Sequence, residues 1–281
     1  MKFVRYGSRN EELPGLIDSK GNIRALSPLL SDIGCEMFTP EWLSALAAID
    51  PEKLPVVSGN PRLGVPVSGI RQVIAIGLNY KDHAEEANYP VPVDPLVFYK
   101  SVSSLSGCND PIEVPASAEK LDWEIELGFL ISKEAKHVPV EKALDYVAGY
   151  CTVVDVSERH WQFDKGGTLG KGKSYDNFTP VGPWFATADE VADPQTLDLW
   201  LDVNGESRQR GTTAEMVFTI AELVAHLSTY QTLLPGDLVI TGTPAGVGLG
   251  MKPETYLKGG DEIRCGIPGL GDQVHTVEIL K

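Results

Sequence analysis

The sequence predicts a β-rich α+β protein. Short segments with strand-like patterning, separated by turns rich in Gly and Pro, outnumber the helical segments, and their spacing gives no regular βαβ units. Of the 281 residues, 42% are apolar and 22% are charged, which is typical of folded globular proteins rather than disordered chains. A chain of this length forms one large domain or two unequal domains.

Residues 1–69 are predicted to form a small N-terminal domain. The segment KFVRYG and the two arms of a turn at Ser19–Asn22 have strand patterns. Thr39 is a suitable N-cap for a helix that begins at Pro40. The Gly- and Pro-rich stretch VSGNPRLGVPVSG follows this helix and predicts a boundary before residues 70–281.

Residues 70–281 are predicted to form a larger domain made mainly of strands. The apolar run Val73–Ile76 leads into a short helix that Asn79 is expected to cap. A later helix is expected at Ala221–Tyr230, where apolar residues recur at helical spacing. Six further segments have strand patterns: LDWEIELGFLI, ALDYVAGYCTVVDV, LDLWLDVNGE, DLVITGTP, DEIRCGI and HTVEIL.

The chain is strongly acidic, since 24 Lys and Arg residues stand against 39 Asp and Glu residues, for a net charge of −15. Nucleic acid and anionic membranes repel such a chain unless it carries a basic patch, and the sequence has no Lys- or Arg-rich run. We therefore expect neither a nucleic acid nor a membrane partner. A small anionic ligand requires a local source of positive charge.

The cysteines and the N-terminus carry no special signal. Cys35, Cys108, Cys151 and Cys265 are widely separated and form no C-x-x-C pair, which predicts free buried thiols rather than a zinc or redox site. The N-terminal segment lacks a secretory apolar stretch, and no run of about 18 apolar residues occurs, so a cytoplasmic location is expected.

A strand with three carboxylates is the first candidate for chemistry. Alternation along residues 121–127 sends Asp122, Glu124 and Glu126 to one face and the apolar residues between them to the other. This face is either a solvated acidic surface or a site where a hard cation relieves the repulsion between the carboxylates.

Asp155 is the second candidate, because it lies near the end of the mostly apolar run Val147–Val156 and is flanked by valines. An ionised carboxylate in such surroundings needs a partner, which is either an Arg in a salt bridge or a metal ion. Together with Glu124 and Glu126 it makes an all-oxygen set, which suits magnesium, manganese or calcium rather than zinc.

A glycine-rich segment, Gly167–Ser174, matches the phosphate-loop pattern G-x-x-x-x-G-K-[ST]. The pattern binds phosphate only between a buried strand and a helix, whereas the residues before this segment are not a buried strand and two prolines follow it. We therefore interpret it as a glycine loop that delivers Lys173 to a fixed position. A nucleotide-binding protein that uses this loop is the competing hypothesis from a different functional class.

Two weaker signals remain open. His83 and Glu86 share a helix face at i, i+3, where they form either an oriented general base or a solvated pair. The run Thr241–Gly248 brings backbone N–H groups near an anion or simply makes a tight turn between strands.

Taken together, these segments resemble the fumarylacetoacetate hydrolase family. The resemblance extends from about Val73 to the C-terminus and preserves the order and spacing of five blocks: IGLNY with Asp82–His83, Asp122–Glu126, Asp155–Arg159, Gly172–Asp176 and Thr241–Gly248. It implies a mixed β-sandwich roll preceded by a small α/β domain, and a homodimer. The N-terminal part also resembles a subgroup often labelled ureidoglycolate lyase, which includes hydrolases of 2,4-diketo-3-deoxy-L-rhamnonate and L-fuconate.

The resemblance implies a role for each candidate residue. Glu124, Glu126 and Asp155 would bind Mg²⁺ or Mn²⁺. The catalytic residues would be His83, Glu86, Lys173 and Gln162, and the substrate-binding residues would be Thr243, Arg159 and Gly246.

A 2,4-diketo acid substrate would then be hydrolysed between C3 and C4 to pyruvate and a hydroxy acid such as L-lactate. The same site chemistry would also serve an oxaloacetate decarboxylase or a dienedioate isomerase, and a catalytically idle binding protein is a further alternative. Relatives in the subgroup commonly have Gln-Trp where this chain has Thr168-Leu169, which affects the substrate tail if the loop lines it.

Overall fold

The computed structural model describes residues 1–280 and confirms the β-rich α+β class. Five α-helices lie between the strands: α1 (Pro40–Ala47), α2 (Lys81–Glu86), α3 (Arg159–Phe163), α4 (Leu169–Lys173) and α5 (Ile220–Tyr230). Short 3₁₀ helices lie at Cys35–Phe38, Pro51–Lys53, Val102–Ser104, Val140–Tyr146, Ala188–Glu190, Thr213–Glu215 and Gly248–Gly250. No helix in the described part of the chain is long and apolar enough to cross a membrane.

Seventeen strands are described: β1 (Lys2–Tyr6), β2 (Leu13–Ile17), β3 (Ile23–Ala25), β4 (Val73–Gly77), β5 (Leu96–Lys100), β6 (Leu105–Gly107), β7 (Ile112–Pro115), β8 (Leu121–Asp122), β9 (Ile125–Ile131), β10 (Val147–Val154), β11 (Ser157–Glu158), β12 (Thr179–Thr187), β13 (Asp198–Val203), β14 (Glu206–Thr212), β15 (Leu238–Ile240), β16 (Glu262–Ile267) and β17 (Gly271–Leu280).

Most strands belong to two sheets. The larger has the order β3-β2-β1-β12-β10-β9-β15-β4-β5, with β6 paired to β12, and the smaller has the order β14-β13-β16-β17-β7. Both sheets are mixed, because β4 with β15, β6 with β12 and β7 with β17 are parallel while the other pairs are antiparallel. Strands β8 and β11 form a separate pair.

The two sheets share one core, as expected for the sandwich arrangement. The apolar side chains Ile125, Leu127 and Phe129 of β9 pack in the same cluster as Leu201 of β13 and Ile263 of β16. The alternation predicted for residues 121–127 is therefore correct, and it leaves Glu124 and Glu126 on the opposite side of β9. The ladder is interrupted at Trp123 and Glu124, so that β8 and β9 join different sheets.

The N-terminal strands extend the larger sheet. Strand β1 pairs with β12, and Phe3 and Leu16 share a second apolar cluster with Val181 and Phe185 of β12. The boundary between residues 1–69 and 70–281 stays a prediction.

Two of the three predicted helix starts are correct. The Thr39 hydroxyl caps α1 by accepting the Trp42 N–H, and α5 begins one residue before the predicted Ala221. The expectation that Asn79 caps α2 is wrong, since the cap position is Tyr80 and no side chain caps this helix. The Asn79 amide is buried and instead donates to the carbonyls of Phe218 and Thr241 at 3.1 and 2.8 Å. It thereby ties the start of α2 to the segment after β15.

The prediction of free buried thiols is also confirmed. All four cysteines are free and buried, and burial raises the pKa of the Cys35, Cys108 and Cys151 thiols to about 12.

Candidate active site

The candidate site lies at one end of five adjacent strands of the larger sheet. In the order β10-β9-β15-β4-β5, the chain leaves β10, β15 and β4 at this end and enters β9 and β5 there. Asp155 directly follows β10, Thr241 follows β15, and Glu124 directly precedes β9. The fold therefore gathers residues that are widely separated in the sequence.

Glu124, Glu126 and Asp155 form a buried acidic cluster. Each offers a carboxylate oxygen, and the three oxygens lie within 4.8 Å of one another. The backbone links two of them, because the Asp155 N–H donates to the Glu124 carbonyl at 2.8 Å. The Gly242 N–H donates to Glu126 Oε2 at 2.7 Å. Three buried carboxylates this close together strongly disfavour full ionisation unless positive charge lies among them.

Lysines supply part of that charge. Lys173 Nζ lies 2.6 Å from Glu124 Oε2 and 2.5 Å from Asp155 Oδ2. Lys100, at the end of β5, is fully buried and donates to Asp155 Oδ1 and, at 2.7 Å, to the Phe178 carbonyl. The partner of Asp155 that was left open between an Arg and a metal ion is therefore a pair of lysines in this structure.

Arg159 joins the cluster to a fourth carboxylate. Its guanidinium lies 2.6 Å from Glu124 Oε1 and donates from Nε to Asp122 Oδ2 at 2.8 Å. Asp122 also accepts the N–H groups of Gly248 and Leu249, at 2.6 and 3.0 Å. Asp122 thus holds the glycine-rich loop after β15 against Arg159 rather than joining the acidic cluster.

The two glutamates titrate in opposite directions. Burial alone raises the pKa of Glu124, but the charges of Lys173 and Arg159 outweigh it and hold that pKa well below its usual range. Burial also raises the pKa of Glu126, and the negative charges of Asp155 and Glu124 raise it further. Burial lowers the pKa of the Lys173 amine, whereas Asp155 and Glu124 raise it and prevail. The ionised form of Glu124 is therefore stabilised by its ion pairs, while the ionised form of Glu126 is disfavoured until further positive charge reaches it.

Helices α3 and α4 pack closely enough to set Lys173 beside Gln162. A β-carbon at Gly172 would lie 2.6 Å from Gln162 Cβ and 2.7 Å from the Glu158 carbonyl, so only glycine fits there. Gln162 Oε1 accepts from Arg159 Nη1 at 3.1 Å, which leaves its amide N–H groups as donors. The segment Gly167–Ser174 follows helix α3 rather than a buried strand, which confirms that it is not a phosphate loop. The expectation of a glycine loop is wrong for most of it, since Leu169–Lys173 forms α4 and Lys173 is the last residue of this helix.

Helix α2 rests on the loop after β15 through two carboxylates one turn apart. Asp82 Oδ2 accepts the Ala245 N–H at 3.2 Å, and both oxygens of Glu86 lie within 3.1 Å of the Gly246 nitrogen. The His83 ring nitrogen Nδ1 lies 3.4 Å from Glu86 Oε2. The Gly246 N–H that we expected to face substrate therefore holds Glu86, and Glu86 in turn contacts His83.

Thr243 and Gly242 shape the loop near β9. The Thr243 hydroxyl donates to the Ile125 carbonyl at 2.7 Å and accepts from Gln209 Nε2 at 2.7 Å. Gly242 has a φ of +89°, and a β-carbon there would lie 3.0 Å from the Ile76 carbonyl. This left-handed conformation turns the Gly242 N–H toward Glu126.

One cavity of about 210 Å³ brings most of the predicted site residues together. Eight of the ten line it: His83, Glu124, Glu126, Asp155, Arg159, Gln162, Lys173 and Thr243. Glu86 and Gly246 are not among the lining residues and contact the site through His83 and α2. Leu169, the first residue of α4, lines the cavity as well, so the condition under which the Thr168-Leu169 difference affects the substrate tail is met for Leu169.

Three buried residues of the site were missed from the sequence: Lys100, Asp122 as the partner of Arg159, and Gln209. Gln209 accepts the Ile125 N–H at 3.0 Å and donates to Thr243 and Pro244, so it supports the start of β9. Lys100 ends a strand whose other residues are mostly half-exposed, and Gln209 lies on a strand of the smaller sheet. Neither segment has a local pattern that indicates burial.

The charges of the site suit a divalent cation and one anion. With every group ionised, the four carboxylates of Asp122, Glu124, Glu126 and Asp155 exceed the three cations of Lys100, Lys173 and Arg159 by one negative charge. The oxygen donors and the raised pKa of Glu126 fit a hard cation such as Mg²⁺ or Mn²⁺. A divalent cation would change the net charge to one positive, which favours a monoanionic ligand. Such a cation would supply the local positive charge that an anionic ligand requires in this acidic chain.

Comparison with known proteins gives consistent results. Residues 72–278 match the family model described as fumarylacetoacetate (FAA) hydrolase C-terminal. A Burkholderia orbicola protein is 53% identical over 275 residues, covering 98% of each chain. Its name gives a provisional assignment as a hydrolase and states no substrate.

Two solved structures match over the full length of both chains. The fumarylacetoacetate hydrolase of Exiguobacterium antarcticum has a TM-score of 0.86 and 33% identity. The maleylpyruvate hydrolase of Sphingobium sp. SYK-6, solved in complex with a manganese(II) ion and pyruvate, has a TM-score of 0.83 and 30% identity.

Proposed function

Since the chain belongs to the fumarylacetoacetate hydrolase family, we propose that it is a metal-dependent hydrolase that cleaves the C3–C4 bond of a 2,4-diketo acid and releases pyruvate and a carboxylic acid. The observation that carries the proposal is the single cavity in which the acidic cluster, Lys173, Gln162 and His83 meet. The manganese and pyruvate in the Sphingobium relative support the same chemistry.

Glu124, Glu126 and Asp155 would hold the Mg²⁺ or Mn²⁺ ion. When bound, the cation would supply a Lewis acid that binds the keto-acid end of the substrate and stabilises negative charge on its C2 oxygen. Lys100 and Arg159 keep Asp155 and Glu124 oriented from the opposite side.

His83 is the proposed general base. We assign the Nδ1 proton to the side that faces Glu86, so that Nε2 carries the lone pair that accepts a proton from water. The activated water adds to C4 of the substrate. Glu86 would favour the imidazolium that forms, and the Gly246 N–H holds Glu86 in place.

Lys173 and Gln162 are the proposed donors to the oxyanion that develops on C4. The Arg159 contact fixes the Gln162 amide with its N–H groups available. As the C3–C4 bond breaks, its electron pair moves to C3, C4 becomes the carboxylic acid, and protonation of C3 completes pyruvate. Thr243 is retained as the proposed contact to the substrate carboxylate, for which its hydroxyl would exchange the Ile125 carbonyl for the substrate.

Within this class, the resemblance of the N-terminal part favours 2,4-diketo-3-deoxy-L-rhamnonate or L-fuconate as substrate, with L-lactate as the second product. Decarboxylation of oxaloacetate, isomerisation of a dienedioate and cleavage of ureidoglycolate are the alternatives in the same family. The first two need no activated water, so the His83–Glu86 contact favours hydrolysis. A homodimer and the absence of nucleic acid and membrane partners remain part of the proposal.

A panel assay tests the function. Protein stripped with EDTA should cleave acylpyruvates and 2,4-diketo-3-deoxy acids only after Mg²⁺ or Mn²⁺ is added, with pyruvate measured by a coupled reduction. Oxaloacetate, a dienedioate and ureidoglycolate serve as competing substrates. If only one of these three were converted, the hydrolase proposal would be wrong.

A further inference from the structure

The cavity lining combines two chemically different sets of residues, and the part around Lys173 and the acidic cluster is called its charged end. Its charged lining residues belong to the acidic cluster and its partners, whereas much of the remaining lining is aliphatic or aromatic. The apolar side chains used below are Leu78, Leu96, Phe98, Phe163, Leu169 and Leu249.

Helices α4 and α3 each place an apolar side chain about one helical turn from a charged residue of the site. On α4, Leu169 lies four residues before Lys173, on the same helix face and about 6 Å away along the axis. On α3, Phe163 lies four residues after Arg159 and therefore at a similar distance. Leu169 and Phe163, together with the residues of β5 described next, form an apolar extension of the site.

On β5, Phe98 lies near the charged end, because its ring centre is 5.5 Å from Lys173 Nζ. Leu96 lines the cavity two residues away on the same strand face, about 7 Å further along. A substrate whose C4 carbonyl contacts Lys173 and Gln162 would therefore direct its acyl group between Leu96, Phe163 and Leu169.

The charges in the cavity leave nothing for a second carboxylate. Among the described lining residues, the basic side chains are His83, Arg159 and Lys173, and the last two already contact carboxylates. Leu96 and Phe163 are 40% and 41% exposed in the free protein, so a bound acyl group would cover apolar surface there. A carboxylate in the same place would lose water without gaining a partner, which is costly. The single net positive charge of the metal-loaded site would also be neutralised by the first carboxylate of the substrate.

A hydroxyl group on the acyl chain would also be disfavoured in this part of the cavity. A buried hydroxyl needs a hydrogen-bond partner, and Leu96, Phe163 and Leu169 offer none. Tyr89 also lines the cavity, but it is 51% exposed, so its hydroxyl can bond to water instead.

We propose that this cavity selects monoanionic 2,4-diketo acids whose acyl group is uncharged and apolar, with Leu96, Phe163 and Leu169 as specificity-determining residues. The inference rests on the proposed hydrolase function and adds the class of acyl group. On that class it departs from the hydroxylated substrates that the resemblance of the N-terminal part favours, because lactoylpyruvate is 2,4-diketo-3-deoxyrhamnonate. Each methylene buried among these residues should raise kcat/KM about fourfold.

Turnover of a homologous series tests the proposal. With Mn²⁺ present, kcat/KM should rise from acetylpyruvate through butanoylpyruvate to hexanoylpyruvate. Propanoylpyruvate should be cleaved at least as efficiently as its hydroxylated counterpart, lactoylpyruvate, and fumarylpyruvate at least about tenfold less efficiently than butanoylpyruvate. A tenfold preference for the lactoyl or the fumaryl compound would overturn the proposal.

Two leucine variants localise the effect. Leu169→Asn should lower the ratio of kcat/KM for hexanoylpyruvate to that for acetylpyruvate by about tenfold, because it places an amide against the acyl chain. Leu144→Asn is the matched control, since Leu144 is 46% exposed and lies outside the cavity lining. Equal ratios in the two variants would remove Leu169 from the specificity-determining set.

Equilibrium binding separates this inference from the proposed function. In calorimetric titrations with Mn²⁺, 2-ketohexanoate should bind more tightly than pyruvate, and more tightly than 2-ketoadipate, which has a carboxylate in place of the terminal methyl group. This preference without any acylpyruvate cleavage would support the apolar subsite and contradict the hydrolase function. Cleavage of acetylpyruvate without the preference would contradict the subsite alone.

Discussion

Replacing Glu126 by glutamine is expected to abolish metal-dependent turnover and, at the same time, to stabilise the metal-free protein. The amide keeps the shape of the side chain and an oxygen for the Gly242 N–H, but it removes the charge that Asp155 and Glu124 oppose. Loss of the cation should lower kcat/KM by at least about a thousandfold. Natural active sites often carry repulsion of this kind because function requires it.

The pH dependence of stability gives the sign of this effect. The pKa of Glu126 is raised in the folded metal-free protein, so the folded state binds this proton more tightly than the unfolded state. Its contribution to stability is therefore fully present below the unfolded pKa near 4.5 and is lost as pH rises from there through the folded pKa. The glutamine variant has no carboxyl group at this position, so its stability does not fall with pH for this reason.

Urea denaturation in EDTA at pH 5 and pH 8 checks the prediction. The free energy of unfolding of Glu126→Gln minus that of the wild type should be larger at pH 8. Glu278→Gln, at an exposed position on β17, is the matched control and should show no such difference. Oxalate with Mn²⁺ should raise the melting temperature of the wild type and of the control but not of Glu126→Gln, whereas ATP should raise none of them. A glutamine variant that retained metal-dependent turnover would remove Glu126 from the metal site.

Replacing His83 by asparagine is expected to lower kcat by about a hundredfold to ten-thousandfold while leaving ligand binding intact. The asparagine lacks the ring nitrogen that accepts the proton from water, but the acidic cluster and Lys173 remain in place. Metal binding and the rise in melting temperature with oxalate should therefore be retained. This combination separates loss of a base from loss of the metal site.

Two further variants give this prediction its controls. His226→Asn replaces a histidine on α5, outside the cavity lining, and should leave kcat unchanged. Glu86→Gln should cause a smaller loss than His83→Asn, because Glu86 orients the ring without contacting the water. If His83→Asn turned over acylpyruvates at the wild-type rate, another group would have to be the base.

The acidic residues of this site could be predicted from the sequence because their placement depends on local pattern. Alternation along residues 121–127 placed Glu124 and Glu126 on the face opposite the core, and Asp155 was conspicuous at the end of an apolar strand. The glycine segment 167–174 could likewise be separated from a phosphate loop by its neighbours alone.

The parts that escaped prediction depend on tertiary contacts. Lys100 meets Asp155 only through the tertiary fold, because β9, β15 and β4 separate β5 from β10 in the larger sheet, and Gln209 reaches β9 from the smaller sheet. Asn79 is a residue type that commonly caps helices, but here it is buried, and its amide donates to the carbonyls of Phe218 and Thr241 instead. Gly246 was expected to meet an anion, and the anion it meets is the carboxylate of Glu86.

Isotope incorporation tests the central claim most directly. In water enriched in ¹⁸O and with Mn²⁺ present, butanoylpyruvate should yield pyruvate and butanoate in equal amounts, with one ¹⁸O atom in each butanoate after correction for exchange of the ketone oxygens. Water that His83 activates for attack on C4 must leave its oxygen in that carboxylate. Carbon dioxide release or an isomerised product, with no ¹⁸O-labelled butanoate, would contradict the hydrolytic account.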